Sequence, residues 1–202
     1  MSLAPALSFP PELLLKAQGT GLGLKAAIFD VDGVLTDGSV FIGETGEVFK
    51  AFSTLDGQGL KLLDQAGIVP IIITGRDSPA VRRRVADLGL KHAAYGAKDK
   101  LAVAQPLLDA LGVGWPEVAV MGDDWPDLPL LARAGFACAP AQAHAEAKAR
   151  AHYVTRAAGG HGAARECCDL ILLACGRYAQ LLNGHLGTLD GSSGNDTSGG
   201  AR

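Results

Sequence analysis

The chain has 202 residues, with 18 Lys and Arg against 21 Asp and Glu, a formal net charge of −3. That length suits one domain with a sizeable core, and 48% apolar against 19% charged residues is a globular balance. A disordered, collagen-like or mucin-like chain is excluded, and an acidic balance without a basic stripe argues against nucleic acid as the main ligand.

The opening MSLAPALSFPPELLLKAQG lacks the basic leader and unbroken apolar stretch of a signal peptide. No apolar run approaches the roughly 18 residues that cross a bilayer, so the expected location is the cytoplasm. A short helix is predicted from near Pro11. AAIFD (26–30) then reads as a strand buried on both faces. Residues 38–52 read as a hairpin around Glu44-Thr45-Gly46, where an α/β fold would otherwise place a helix. Helical spacing follows over 59–67, a strand over 69–74, and helices over 78–89 and 99–112, each helix ending at Gly. Further strands are predicted at 117–123 and 136–140, a closing helix at 164–183, and disorder in the Gly/Ser-rich last sixteen residues.

Strand alternating with helix predicts an α/β fold: a Rossmann-like, doubly wound parallel sheet with helices on both faces and a short β-hairpin after the first strand. The expected organisation is an N-terminal extension (1–23), one α/β domain (24–183) and a flexible tail (184–202). Cys138, Cys167, Cys168 and Cys175 form no Cys-x-x-Cys pair and no metal-ligand spacing, which predicts small buried apolar residues in a reducing compartment.

In an open α/β sheet, ligands bind at the carboxyl ends of the strands. The first strand ends in DVDGVLTDG (30–38), where Asp30 and Asp32 stand two apart. A carboxylate from one and a backbone carbonyl from the other can converge on a hard cation such as Mg²⁺. A second strand ends in Thr74-Gly75-Arg76, a hydroxyl and backbone amides at a helix start, suited to an anion. The 117–123 strand runs into GDDWPDLP (122–129), adding Asp123, Asp124 and Asp127, and Lys100 opens a helix near the same edge. Each piece alone is more often a cap, a turn or a solvated charge. Together, in order at successive strand ends, they describe a phosphoryl-transfer site.

DVDGVLTDG, ITGR (73–76), Lys100 and GDDWPDLP resemble the four motifs of the haloacid dehalogenase superfamily of phosphohydrolases. More narrowly, the chain is similar to the 3-deoxy-D-manno-octulosonate 8-phosphate phosphatase family, which acts in making the lipopolysaccharide sugar Kdo. That narrower resemblance rests on the short β-hairpin in place of a cap domain, on STLDGQGLKLL (53–63) and on AGGHGAARECCDLIL (158–172), and spans about residues 24–175.

The resemblance implies Asp30 as the nucleophile that forms an aspartyl-phosphate, and Asp32 as the acid and then base that serves the leaving sugar and the water. It implies Mg²⁺ on Asp30, the Asp32 carbonyl and Asp123, with Thr74 and Lys100 holding phosphoryl oxygens and Asp124 and Asp127 orienting Lys100 or metal-bound waters from behind. It places Ser53, Thr54, Leu55, Asp56, Gly57, Lys61, Arg76 and Arg84 on the sugar acid, with Asp32 also touching substrate. Arg84 sits in the run Arg82-Arg83-Arg84 and reads equally as a solvated helix charge. The family closes its uncapped site as a homotetramer, with a Gly-rich tail matching 159–162. Here His161 stands where the family often has Arg, which leaves its substrate contact open.

Two other readings are kept: a phosphatase for a related nine-carbon sugar acid 9-phosphate, and a non-catalytic oligomerising module. Arg165-Glu166 and the Gly-rich segment favour the eight-carbon acid, and the full set Asp30, Asp32, Thr74, Lys100 and Asp123 opposes the inert module. A nucleic-acid or membrane adaptor has no supporting charge pattern.

Overall fold

The computed structural model describes residues 5–19 and 23–190. Among these, β1 (Ala26–Phe29), β4 (Val69–Ile73), β5 (His92–Ala94), β6 (Val118–Met121), β7 (Phe136–Ala139) and β8 (Tyr153–Val154) form one sheet, ordered β5-β4-β1-β6-β7-β8. Every neighbouring pair in it is parallel. A small antiparallel hairpin, β2 (Ile42–Gly43) with β3 (Gly46–Glu47), stands apart from the sheet.

Because side chains alternate across a strand, β1 divides its residues between two cores. Ala27 and Phe29 face α1 (Pro11–Ala17), α2 (Thr54–Gln65), α3 (Pro79–Leu88) and α7 (Ala163–Ala174). Ala26 and Ile28 face α4 (Lys100–Leu111), α5 (Leu128–Leu131) and α6 (Ala145–Arg150). Burial on both sides is why these strands read as unbroken apolar runs. The chain leaves β1 for β4 and β5 on one side, then crosses to β6 on the other. That reversal opens a crevice at the carboxyl ends of β1, β4 and β6.

The expected doubly wound α/β fold is the one observed, with local differences. The helix expected from 59 begins at Thr54, where the Ser53 hydroxyl accepts the Asp56 N–H; Gly57 and Gly59 inside it hid the first turn. The closing helix expected over 164–183 is two helices, α7 and α8 (Tyr178–Asp190), broken at Cys175-Gly176-Arg177 with Gly176 at φ +68°. Residues 187–190 therefore continue a helix, the expected boundary at 183/184 falls inside it, and 191–202 lie outside the described residues. Strand pairing in the hairpin is confined to four residues, extended by a Val48 N–H to Phe41 carbonyl bond of 2.8 Å. The N-terminal helix α1 packs on α7 and buries Leu13 and Ala17 in the main core. Cys138, Cys167 and Cys168 are buried and Cys175 partly so, all as free thiols. Among the described residues no helix is long and apolar enough to cross a membrane.

Candidate active site

Asp30 follows β1 directly, its N–H still bonded to the Met121 carbonyl of β6 at 3.1 Å. The chain then curls tightly, with the N–H groups of Val34, Leu35 and Thr36 all directed at the Val31 carbonyl. The buried Thr36 hydroxyl closes the curl by accepting the N–H of Gly33 and of Gly38. Gly33 has φ +92°, and a Cβ there would lie 2.1 Å from Asp123 Oδ2. Only glycine lets the Asp123 carboxylate rest against the loop that follows Asp30.

Lys100 opens α4 beneath this loop and is buried, with its ammonium 2.6 Å from both Asp30 Oδ1 and Asp127 Oδ1. Asp127 Oδ2 accepts the N–H groups of Asp123 (3.1 Å) and Asp124 (3.4 Å). Both oxygens of Asp127 are thus engaged in holding Lys100 and the 122–124 turn. Asp124 itself is exposed at the rim.

Asp30, Asp123 and Asp127 bring carboxylate oxygens within 4.8 Å of one another. Burial, with repulsion from Asp127 and despite Lys100, raises Asp30 to about 6. Burial, with repulsion from Asp30 and Asp127, raises Asp123 to about 7. Burial works against the Lys100 ammonium, but Asp30 and Asp127 outweigh it and its pKa is raised overall. With all three ionised, three carboxylates around one ammonium leave an excess of 3 − 1 = 2 negative charges. An all-oxygen donor set with that excess fits a hard divalent cation such as Mg²⁺, with Asp30 and Asp123 the carboxylates still open to it.

These groups line an open crevice of about 190 Å³ together with Asp32, Gly75 and Arg76. A larger cavity, about 430 Å³, lies at the amino ends of β1 and β4 beside Leu24 and Ile68, away from the carboxylates. Thr74 is buried at the end of β4, where its hydroxyl oxygen accepts the Arg76 N–H at 3.3 Å. Arg76 is half-exposed and reaches Glu47 of the hairpin at 3.8 Å.

The expected sugar contacts are divided. Thr54, Leu55 and Lys61 are exposed on α2. Arg84 folds back against α2, donating to the Ser53 carbonyl at 3.0 Å and lying over the Phe52 ring. A Cβ on Gly57 would meet that guanidinium at 2.3 Å, so Gly57 makes room for Arg84. Asp56 is buried, and its oxygens accept the N–H groups of Gly162 (3.2 Å) and Arg165 (2.8 Å). It caps α7 across the interhelical contact; burial raises its pKa and those backbone donors oppose the rise.

The Gly-rich segment lies on the loop that follows Asp30. A Cβ on Gly159 would fall 1.9 Å from the Gly33 carbonyl oxygen, and one on Gly160 2.6 Å from the Asp37 nitrogen. Gln142 bridges the two, donating to the Gly33 carbonyl (2.6 Å) and accepting the Gly159 N–H (2.8 Å). His161 is left exposed at the loop edge, near enough for its charge to act on Asp37.

Three residues escape a reading by motif. Lys50 has no side-chain exposure and pairs with Asp32 Oδ1 and, at 3.2 Å, with Glu47. Glu47 also accepts the Ser78 hydroxyl. Gln142 is the third. The one sequence signal was the i, i+3 spacing of Glu47 and Lys50, which nothing tied to Asp32.

A family model for haloacid dehalogenase-like hydrolases matches residues 94–166. The 3-deoxy-D-manno-octulosonate 8-phosphate phosphatase of Escherichia coli K12 is 44% identical over 154 residues, 76% of this chain and 82% of that protein. The Moraxella catarrhalis phosphatase of the same name, solved with magnesium ion, phosphate ion and KDO, superposes with TM-score 0.80 at 38% identity, covering 86% of this chain and 98% of that one. The cobalt-bound Haemophilus influenzae enzyme gives TM-score 0.79 at 39% identity, covering 86% and 99%. The chain belongs to the 3-deoxy-D-manno-octulosonate 8-phosphate phosphatase family of haloacid dehalogenase-like hydrolases.

Proposed function

We propose that the protein is a Mg²⁺-dependent phosphatase that hydrolyses 3-deoxy-D-manno-octulosonate 8-phosphate to Kdo and inorganic phosphate, in lipopolysaccharide precursor synthesis. The observation that carries this reading is Asp30 paired with buried Lys100 and flanked by Asp123, in a chain 44% identical to a phosphatase of that name.

The free oxygen of Asp30 attacks phosphorus while the bond to the sugar oxygen breaks, leaving phosphate on Asp30. Asp32 gives the departing sugar oxygen its proton, then takes one from the water that attacks the phosphorylated Asp30. Lys100 and Thr74 hold the phosphoryl oxygens against this approach. Asp30, the Asp32 carbonyl and Asp123 would hold Mg²⁺, which when bound would offset the repulsion between an anionic nucleophile and an anionic phosphate. Asp127 keeps Lys100 and the 122–124 turn in place, with Asp124 beside it at the rim.

For the sugar acid, Arg76 borders the crevice, and Arg84 stands behind Ser53 and Gly57. Thr54, Leu55 and Lys61 face outward nearby, His161 lies on the Gly-rich segment, and Asp56 contributes by anchoring that segment. Phe41, Ile42, Val48 and Phe49 are exposed on the hairpin, with Phe41 and Phe49 stacked at 4.2 Å. That apolar surface supports a homotetramer in which hairpins of neighbouring subunits meet and close each site. The free cysteines accord with action in the cytoplasm.

Phosphate release from the eight-carbon 8-phosphate and from a nine-carbon 9-phosphate, at matched Mg²⁺, tests the substrate. The eight-carbon acid is expected to be preferred. A tenfold preference for the nine-carbon acid would overturn that choice, and no release from either would favour a non-catalytic oligomerising module.

A further inference from the structure

Lys50 lies just past the hairpin, yet its ammonium is sealed from solvent and directed at Asp32. A buried ammonium is costly unless it is paired. Here the pairing joins three separate pieces of chain: Asp32 after β1, Glu47 on β3, and Ser78 before α3. Glu47 fixes Lys50 at 3.2 Å and is itself fixed by the Ser78 hydroxyl, with Arg76 a further 3.8 Å partner. The lysine has little freedom to leave Asp32.

Asp32 borders the crevice, and an acid–base carboxylate works only if one oxygen faces the atom that exchanges the proton. With Lys50 on Oδ1, the other oxygen is the one left for that exchange. We propose that Lys50 is a positioning residue: held by Glu47, it fixes Oδ1 of Asp32 so that Oδ2 faces the leaving oxygen. The hairpin then serves the reaction within its own subunit, besides any role in assembly. This rests on the assignment of Asp32 as acid and base given above.

The test is leaving-group dependence. In kcat/KM, which reads the steps through formation of phosphorylated Asp30, a sugar alkoxide needs a proton to depart and p-nitrophenolate does not. For Lys50→Met we expect kcat/KM on 3-deoxy-D-manno-octulosonate 8-phosphate to fall about 100-fold, in the range of general-acid effects. On p-nitrophenyl phosphate we expect a fall of less than about threefold, since no acid is needed there. Glu47→Gln, which keeps the lysine, is expected to move the ratio the same way by a smaller factor, and it carries the test if Lys50→Met does not fold. Equal losses on both substrates, or no loss on the sugar phosphate, would overturn the proposal. A native protein that hydrolyses the aryl phosphate but not this sugar phosphate would fail the substrate reading alone, and the ratio is then read with the alkyl phosphate it cleaves best. A native protein inert on every phosphate would overturn the catalytic reading and this proposal together.

Discussion

Gly33→Ala separates the metal site from the fold. The added methyl would lie 2.1 Å from Asp123 Oδ2 and 2.5 Å from its Cγ, where ordinary contact begins near 3.4 Å. The carboxylate must therefore retreat by about 3.4 − 2.1 = 1.3 Å. An L residue at φ +92° adds about 1–2 kcal/mol of backbone strain, a melting-temperature loss of roughly 2–8 °C for a protein of this size. Displacing one carboxylate from a cation site costs about 10–100-fold in affinity, judged by the loss of groups that orient metal ligands. Gly38→Ala is the control: it shares a positive φ, but its methyl meets nothing closer than 3.6 Å. Titration calorimetry with Mg²⁺ and melting curves on both variants are expected to show similar destabilisation, with weakened Mg²⁺ binding only in Gly33→Ala. Equal Mg²⁺ affinity in Gly33→Ala and the native protein would refute the placement of Asp123 at the cation.

Asp56→Ala removes the acceptor for the Gly162 and Arg165 N–H groups; a loss of about 1–3 kcal/mol and faster hydrogen exchange over 159–165 are expected, and unchanged melting would contradict the capping role. Burial, with repulsion from Asp127 on Asp30 and from Asp30 and Asp127 on Asp123, holds Asp30 at about 6 and Asp123 at about 7 in the metal-free protein, above the unfolded value of about 3.9. The metal-free fold thus binds protons that the unfolded chain has released, so these groups make its stability fall as pH rises from about 4 to about 7. Mg²⁺ competes with the same protons, and its affinity is expected to climb over that window and level off above it; an affinity independent of pH would count against both carboxylates as ligands. Phe49→Glu places a charge in the exposed hairpin cluster and is expected to dissociate the proposed tetramer in sedimentation velocity; a native protein that already sediments as a monomer would exclude that tetramer.

The central strands, and the gathering of Asp30, Asp32, Lys100 and Asp123 at one crevice, were legible because both depend on short-range order. Burial on two faces makes a continuous apolar run, and ligand groups collect where such runs end. What escaped depends on distant partners. β5 is three residues long and is defined by its pairing with Ile71–Ile73. The break at Gly176 interrupts an apolar pattern that is helical on both sides. Asp56 reads locally as a first-turn acid of α2, whereas its oxygens serve backbone more than a hundred residues on. Lys50 has no motif around it, and only the return of the hairpin toward β1 brings it to Asp32. Gln142 likewise acquires its role through a loop 109 residues earlier.

The most direct measurement is phosphate release from 3-deoxy-D-manno-octulosonate 8-phosphate by the native protein and Asp30→Asn, each with Mg²⁺ and with EDTA. The account predicts rapid release by the native protein with Mg²⁺, and release at background in the other three cases. Release by Asp30→Asn at the native rate, or native release that EDTA leaves unchanged, would contradict it.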